Sequence, residues 1–423
     1  MPDYRLKLGI LTNNNFKLPY INSIEDRYEH MYCVGKSGSG KSVFMEHLAN
    51  YDINFGISTI LLDPKGESTK RLYALAPDKS KIKYISIKRP MVINPLNKEG
   101  YDIDDIIAEF VQILDILIQL TASNPESTVL MREIIGMALH SFNKKQKNLK
   151  YLVDFLWYED VRKEHIIKLK EEQKDERYIH YWTEFDAKEN RYPKNKDKIE
   201  SAKRVASRLQ EISTGKMEDI VQGENELYIH DIIAKGQSLL VDTSRMSRTS
   251  RIYLSNLIVY SVLSYCEYHA GIDKPLMVYV DELSTVMSPL FIELMARSRG
   301  KKVGFVLAHQ NVSQIKPQEV NGIMGNTHTY VCFNCGYEEA ERFSPYLNVP
   351  PKDLINLGKF NAWVRIGTKC SPIKTFKPLI KEIPALPEEI EEFEEPFKAE
   401  EPLAENTHGE PAYNFLSNDW IVI

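Results

Sequence analysis

The stretch Cys33–Phe44, CVGKSGSGKSVF, constrains the fold of this chain more than any other. Within it, Gly35, Gly40, Lys41 and Ser42 match the pattern G-x-x-x-x-G-K-[ST]. An apolar run, MYCVG, leads into the glycines, and a helix-compatible run, SVFMEHLANY, follows them. Glycines permit a tight loop whose backbone N–H groups point inward at the start of a helix. The stretch therefore predicts a strand, a phosphate-binding loop and a helix, as in an α/β fold.

Each residue of this loop has a predicted place at a bound nucleotide. The Lys41 ammonium reaches the β and γ phosphates, and the Ser42 hydroxyl holds Mg²⁺. ATP and Mg²⁺ are therefore the predicted cofactors. The predicted nucleotide-binding residues of the loop are Gly35, Lys36, Ser37, Gly38, Ser39, Gly40, Lys41 and Ser42.

Hydrolysis of ATP also needs acidic groups, and the segment KPLMVYVDELS supplies them. The unbroken apolar run Leu276–Val280 is typical of a fully buried parallel strand. Asp281 and Glu282 follow at its carboxyl end, where ligands bind in open α/β sheets. We expect Asp281 to contact Mg²⁺ and Glu282 to act as the general base for the attacking water. The alternative is an acidic pair that only starts a loop.

Two further groups follow along the chain. The apolar run Val303–Ala308 predicts another buried strand that ends in His309 and Gln310, where a polar side chain can sense the γ phosphate. The preceding segment, MARSRGKK, contains Arg297 and Arg299. At the edge of a hexamer subunit, either arginine can stabilise transition-state charge at the neighbour's ATP. The alternative for both is a solvated basic turn.

The charge of the chain is unevenly distributed. The formal net charge is −5, but the segment from Glu382 to the end has 12 acidic residues and one lysine. Residues 1–381 therefore carry 53 basic against 47 acidic residues. Repeated proline and dense acid predict a disordered tail with an apolar tip, YNFLSNDWIVI. The body is mildly basic and the tail strongly acidic.

The cysteines indicate a reducing compartment. Five cysteines in 423 residues are too few for a disulfide framework. Cys332 and Cys335 form one CxxC without a second pair at zinc-site spacing. Buried apolar residues on a strand are one interpretation of this pair, and a metal site is the other.

The pattern along the chain predicts an α/β domain that is divided by an insertion. Residues 1–101 form the first part of an α/β domain, with the phosphate loop. Residues 102–232 have helical periodicity and dense charge, which predict an inserted all-α domain. Residues 233–378 return to strands and form the second part of the α/β domain, and residues 379–423 form the tail.

Several segments occur in an order known from one superfamily. They are EHMYCVGKSGSGKS, TILLDPKGES, INPL, AKGQSLLVDTS, the strand before Asp281 and GFVLAHQNVSQI. Together they resemble the HerA/FtsK superfamily of ring ATPases, over roughly residues 8 to 370. Within it, DPKGE and NPL are most similar to the coupling proteins of conjugative type IV secretion, of the TraG/TraD type.

The resemblance implies a RecA-like P-loop motor domain, with a mainly parallel sheet and an inserted all-α domain, that hexamerises around DNA and translocates it with ATP. By the same match, Gly35–Ser42 bind the nucleotide, Asp281 binds the metal ion and Glu282 activates the attacking water. Gln310 acts as the sensor of the γ phosphate, and Arg299 is the arginine finger. Asp63 and Lys65 lie beside the phosphates.

The chain also departs at the N-terminus from the family that it resembles. Coupling proteins of this type usually begin with transmembrane helices, whereas this chain begins almost at the first motor strand, and it lacks the N-terminal barrel of the HerA kind. We expect a cytoplasmic protein that meets the inner face of the cell membrane through a partner. The expected partners are DNA in the pore of a homo-hexamer, and relaxosome or secretion-channel proteins at the all-α domain and tail.

Other functions are open at this point. A protein-translocation ATPase of type IV secretion has similar motor motifs and predicts little stimulation of hydrolysis by DNA. A HerA-like DNA-processing helicase is a relative within the DNA-translocating class. A nucleotide-gated scaffold has no need of a positioned base, so Glu282 argues against it.

Overall fold

Eleven strands in the described residues form one mixed sheet. The computed structural model describes residues 5–12, 18–98, 101–121, 128–187, 193–268, 274–287, 289–310 and 315–386. The strands are β1 Leu6–Leu11, β2 Pro19–Asn22, β3 Met31–Val34, β4 Ser58–Asp63, β5 Ile82–Ile85, β6 Ser238–Asp242, β7 Leu276–Val280, β8 Val303–His309, β9 Thr329–Cys332, β10 Asn361–Ile366 and β11 Lys369–Lys374. Their order across the sheet is β2-β1-β11-β10-β9-β3-β8-β7-β4-β6-β5.

The central strands are parallel and apolar along their length. All neighbouring pairs from β9 to β5 run in the same direction. Every residue of β3, β4, β6, β7 and β8 is buried. Parallel strands that are covered on both faces need such continuous apolar runs, because neither face meets water. The prediction of an α/β fold with a mainly parallel sheet is confirmed.

The other side of the sheet is antiparallel. Strand β10 pairs antiparallel with both β9 and β11, and β1 pairs antiparallel with β11 and β2. Since β9 lies beside β3, this extension brings the last described strands close to the strand that leads into the phosphate loop. The sequence did not predict that proximity.

Half of the α-helices in the described residues lie between β5 and β6 along the chain. They are α1 Ile24–Tyr28, α2 Lys41–Phe55, α3 Glu67–Leu75, α4 Ile103–Thr121, α5 Thr128–Ser141, α6 Leu149–Trp157, α7 Glu159–Glu171, α8 Glu176–Phe185, α9 Pro193–Ser213, α10 Glu218–Val221, α11 Ile229–Ala234, α12 Arg248–Tyr268, α13 Pro289–Ser298, α14 Pro317–Gly325, α15 Tyr337–Leu347 and α16 Pro351–Ile355. In the helical region from α4 to α11, the fully buried ring of Trp182 packs edge-on against Phe155.

Two sequence predictions concern the ends of the fold. None of the described helices combines the length and the apolarity that crossing a lipid bilayer requires. From residue 387 on, the predicted acidic tail and its apolar tip lie outside the described residues. The domain boundaries given above stay predictions.

A buried ion pair fixes the helix of the phosphate loop to the sheet. Arg27, at the end of α1, donates to the two oxygens of Asp52 in α2 at 2.8 and 2.5 Å. The Tyr279 hydroxyl in β7 donates to the same carboxylate at 2.5 Å. All three side chains are almost completely buried. Because α2 starts in the phosphate loop and β7 leads directly into Asp281, this cluster holds both motif-bearing elements together.

Removal of the Asp52 carboxylate is expected to destabilise the fold strongly. In Asp52→Ala the Arg27 guanidinium stays buried without its counter-ion, which costs about 3–5 kcal/mol of unfolding free energy. Chemical denaturation followed by tryptophan fluorescence measures the loss. The control is Asp353→Ala, which removes an exposed carboxylate and is expected to change stability by less than about 0.5 kcal/mol. Equal denaturation midpoints for the two variants would contradict the prediction.

Candidate active site

The phosphate loop joins the end of β3 to the start of α2. Gly38 and Gly40 have left-handed backbone conformations, with φ of 76° and 119°. A Cβ atom on Gly40 would lie 2.9 Å from Cδ1 of Phe360. The Phe360 N–H donates to the carbonyl of Ser39 at 2.9 Å, so this contact belongs to a fixed arrangement. Glycine at position 40 is therefore required by both conformation and space.

The Lys41 side chain lies inside the loop. Its ammonium donates to the carbonyl oxygens of Gly35 and Lys36, the latter at 3.1 Å. Burial lowers the pKa of Lys41, and the nearby Asp281 carboxylate opposes that shift. A buried ammonium held by weak neutral acceptors is well placed to exchange them for phosphate oxygens, which bind it more strongly.

Ser42 and Asp281 bring the two nucleotide motifs into contact. The Ser42 hydroxyl lies 3.1 Å from each carboxylate oxygen of Asp281, across 239 residues of sequence. Burial, and then the charge of Asp63, raises the pKa of Asp281 to about 7. A cation at this point relieves that cost, and a hydroxyl with a carboxylate is a donor set that Mg²⁺ accepts. The residues present therefore fit a Mg²⁺ ion.

Glu282 follows directly and is partly buried. Its Oε1 accepts a hydrogen bond from the Ser284 hydroxyl at 3.1 Å. Burial raises its pKa, and the Ser284 hydrogen bond and the charge of Lys41 oppose the shift. A carboxylate with a raised pKa accepts a proton more readily than an ordinary one, as a general base must.

A cavity of about 140 Å³ opens above the loop. Its lining includes five loop residues and, from other parts of the fold, Val43, Lys65, Gln310, Lys359, Phe360 and Pro378. Gln310 comes directly after β8, at the same sheet edge as the acidic pair. The predicted sensor therefore shares this cavity with the phosphate loop.

Sequence reasoning missed the part of this lining that comes from the C-terminal side. Phe360 has a φ of 63°, which is rare for an aromatic residue, and its carbonyl accepts from the Thr375 N–H at 2.7 Å. The Lys359 ammonium lies 5.1 Å above the Phe360 ring centroid. The only signal in the sequence is the segment NLGKFN before a strand, which matches no motif.

Asp63 lies behind the cavity lining and shapes the turn that follows β4. Its oxygens accept the backbone N–H groups of Lys65 at 2.9 Å and of Thr69 at 3.0 Å. Lys65 itself lines the cavity. The position thus favours an indirect role for Asp63, through the placing of Lys65, and its predicted contact with nucleotide stays a prediction.

Arg299 does not join the site of its own chain. Burial, and then the charge of Arg299, lowers the pKa of His30 to about 4, which places Arg299 near the residue that precedes β3. The phosphate loop leaves the other end of that strand. Arg297 pairs instead with Glu293 in its own helix. The predicted role of Arg299 at the ATP of a neighbouring subunit stays a prediction.

The CxxC pair lies beside the loop. The sulfur atoms of Cys332 and Cys335 are 3.7 Å apart, and both residues are buried. Within the described residues, no group of three or more His, Cys, Asp or Glu side chains could hold a metal ion. The geometry favours a pair of buried thiols.

Two family models match successive parts of the chain. A model described as "Helicase HerA, central domain" matches residues 6–262. A second, described as "TraM recognition site of TraD and TraG", matches residues 275–347. No curated protein matches the chain in sequence.

The similar solved structures include a plasmid coupling protein and a VirB4 protein. The plasmid coupling protein TrwB in complex with ADP and Mg²⁺ is 14% identical, with a TM-score of 0.64 over 90% of this chain and 97% of TrwB. VirB4 of Thermoanaerobacter pseudethanolicus is 15% identical, with a TM-score of 0.58 over 91% and 98% of the two chains. At such identities the likeness is one of fold, and the predicted RecA-like P-loop fold is confirmed. The model of the HerA central domain matches more than half of the residues, so the chain belongs to the HerA central-domain family of P-loop ATPases.

Proposed function

We propose that this protein is an ATP-driven hexameric DNA translocase that resembles the coupling protein of conjugative type IV secretion. The contact that carries the proposal joins the Ser42 hydroxyl to the Asp281 carboxylate at 3.1 Å. It brings a phosphate loop, a metal-binding carboxylate and a candidate base, Glu282, to one sheet edge. A protein that only binds nucleotide has no need of that base.

The residues of the site divide the reaction between them. Backbone N–H groups of the loop and the Lys41 ammonium hold the phosphates. Ser42 and Asp281 hold Mg²⁺, which neutralises phosphate charge when it is bound. Glu282 accepts the proton of the attacking water, and Gln310 senses the γ phosphate. The ADP and Mg²⁺ in the TrwB complex support the assignment of ATP and Mg²⁺ as cofactors.

Charge and similarity support DNA as the transported molecule. The body of the chain carries 53 basic against 47 acidic residues up to residue 381. One subunit is only weakly basic, but six subunits around a pore focus their positive potential on a backbone that passes through. The match of residues 275–347 to the TraM recognition site of TraD and TraG also supports the coupling-protein branch.

Partners and location follow from the same proposal. We assign the helical region and the acidic tail to contacts with relaxosome or secretion-channel proteins. The protein acts in the cytoplasm, at the inner face of the membrane, where a partner holds it. The acidic tail suits a basic partner surface, because the segment from Glu382 to the end contains 12 acidic residues and one lysine.

Stimulation of ATP hydrolysis by DNA tests this function. We expect the wild-type rate to rise severalfold with single- or double-stranded DNA at low salt. The stimulation should shrink as salt increases, because contacts with phosphates release counter-ions. Lys41→Ala, which removes the phosphate-binding ammonium, is the control for contaminating ATPase activity.

A flat response to DNA over the whole salt series would instead favour the second candidate, a protein-translocation ATPase of type IV secretion. The likeness to VirB4 over 98% of that chain supports this alternative. Unfolded polypeptide would then be the substrate to add to the same assay. The absence of any ATP hydrolysis would contradict both candidates.

A further inference from the structure

His309 is a buried polar residue beside the candidate base. It ends β8 and has no exposed surface. Its Nε2 atom lies 4.0 Å from Oε1 of Glu282, and within the described residues it has no hydrogen-bond partner. A buried polar nitrogen without a partner costs stability, so its position needs a physical explanation. The proximity of this nitrogen to the Glu282 carboxylate suggests that His309 acts on Glu282.

The protonation state of the ring follows from its surroundings. Burial, and then the charge of Lys41, lowers the pKa of His309 to about 4, so the ring is neutral near pH 7. A neutral imidazole carries one N–H. The Tyr32 hydroxyl lies 3.5 Å from Nδ1, and when it donates there the ring proton is on Nε2. That tautomer turns an N–H toward the Glu282 carboxylate, which only accepts.

One oxygen of Glu282 thus has a bonded donor, Ser284, and a second donor nearby, His309. The Glu282 Oε1 atom accepts a hydrogen bond from the Ser284 hydroxyl at 3.1 Å, and Nε2 of His309 lies 4.0 Å from the same oxygen. A shift of about 1 Å brings Oε1 into hydrogen-bond range of Nε2. In that position the second oxygen, Oε2, stays available for the proton of the attacking water.

We propose that His309 is a positioning residue. Its Nε2–H replaces the Ser284 hydroxyl as the hydrogen-bond donor to the Glu282 carboxylate and holds that carboxylate in place for hydrolysis. The fully buried imidazole ring is held by its packing, whereas the Ser284 hydroxyl is only partly buried and can rotate, so the ring fixes the direction of the base. This inference rests on the proposed ATPase function.

Two substitutions separate positioning from packing. His309→Leu keeps an apolar side chain of similar size in a buried place but removes the N–H. His309→Gln keeps an amide N–H that reaches about as far as Nε2. For the leucine variant we expect kcat for ATP to fall about ten- to a hundredfold, the loss of one hydrogen bond to a charged group. We expect its KM and its affinity for a fluorescent ATP analogue to stay within about twofold, and the glutamine variant to recover most of kcat.

Tyr32→Phe is a second, milder test that keeps the ring packing. It removes the donor to Nδ1, so the ring proton is shared between both nitrogens, and we expect kcat to fall severalfold without a change in KM. Melting temperatures of all variants show whether the fold is kept.

The outcomes are distinguishable. Equal kcat values for wild type, His309→Leu and His309→Gln would overturn the inference and leave the proposed function standing. Losses confined to nucleotide affinity would also overturn the inference. If the leucine variant does not fold, an unchanged kcat for Tyr32→Phe would overturn it as well. A wild-type protein that hydrolyses no ATP would overturn the proposed function and this inference with it.

Discussion

Replacing Glu282 by glutamine is expected to lower the rate of ATP hydrolysis by about two to four orders of magnitude, the usual contribution of a general base. Glutamine keeps the size of the side chain but cannot accept the proton of the attacking water. The phosphate loop, Lys41 and the contact between Ser42 and Asp281 are untouched, so ATP affinity should stay close to that of the wild type. Phosphate release under saturating ATP, with a parallel binding titration, measures both quantities.

The matched control for this substitution is Glu338→Gln. Glu338 is an exposed carboxylate in the first turn of α15, so its replacement changes the net charge in the same way without touching the cavity. We expect a wild-type rate for it. Hydrolysis by Glu282→Gln at a similar rate would show that another group activates the water. Loss of ATP binding would show that Glu282 acts on the nucleotide rather than on water.

This site could be predicted from the sequence because each of its motifs determines a local backbone structure. The glycines of the loop determine a backbone conformation locally, and the acidic pair follows a run of residues that only a buried parallel strand explains. Parallel strands end at the same sheet edge, so the pairing of β3, β8, β7 and β4 brings Ser42, Asp281 and Gln310 together without further information.

Other parts could not be predicted because they depend on contacts between distant segments. Lys359 and Phe360 reach the loop only because β10 and β11 extend the sheet beyond β9. The left-handed backbone of Phe360 is held by bonds to Ser39 and Thr375, and no local pattern marks it. Likewise, nothing in the segments around Arg27 and Asp52 indicates that the two are paired.

Arg299 shows how topology limits an interpretation that the sequence left open. His30, which feels the charge of Arg299, precedes the four residues of β3, and the phosphate loop follows that strand. At about 3.3 Å per residue, the two strand ends are about 13 Å apart. Arg299 is half-buried and its Nε atom has no partner among the described residues. The separation of the two strand ends places Arg299 away from the phosphate loop of its own chain, and its role at the ATP of a neighbouring subunit stays a prediction.

Replacing Arg299 by alanine is therefore expected to lower ATP hydrolysis by about three orders of magnitude or more, the contribution of an arginine finger in trans. Mixing Arg299→Ala subunits with Lys41→Ala subunits should restore part of the activity, because a ring then contains intact phosphate loops next to intact fingers. Arg297→Ala is the control: this exposed neighbour pairs with Glu293 in its own helix, and its loss should leave the rate nearly unchanged. A finger that acted within one chain would give no recovery on mixing, and a wild-type rate for Arg299→Ala would leave Arg299 as a solvated turn residue.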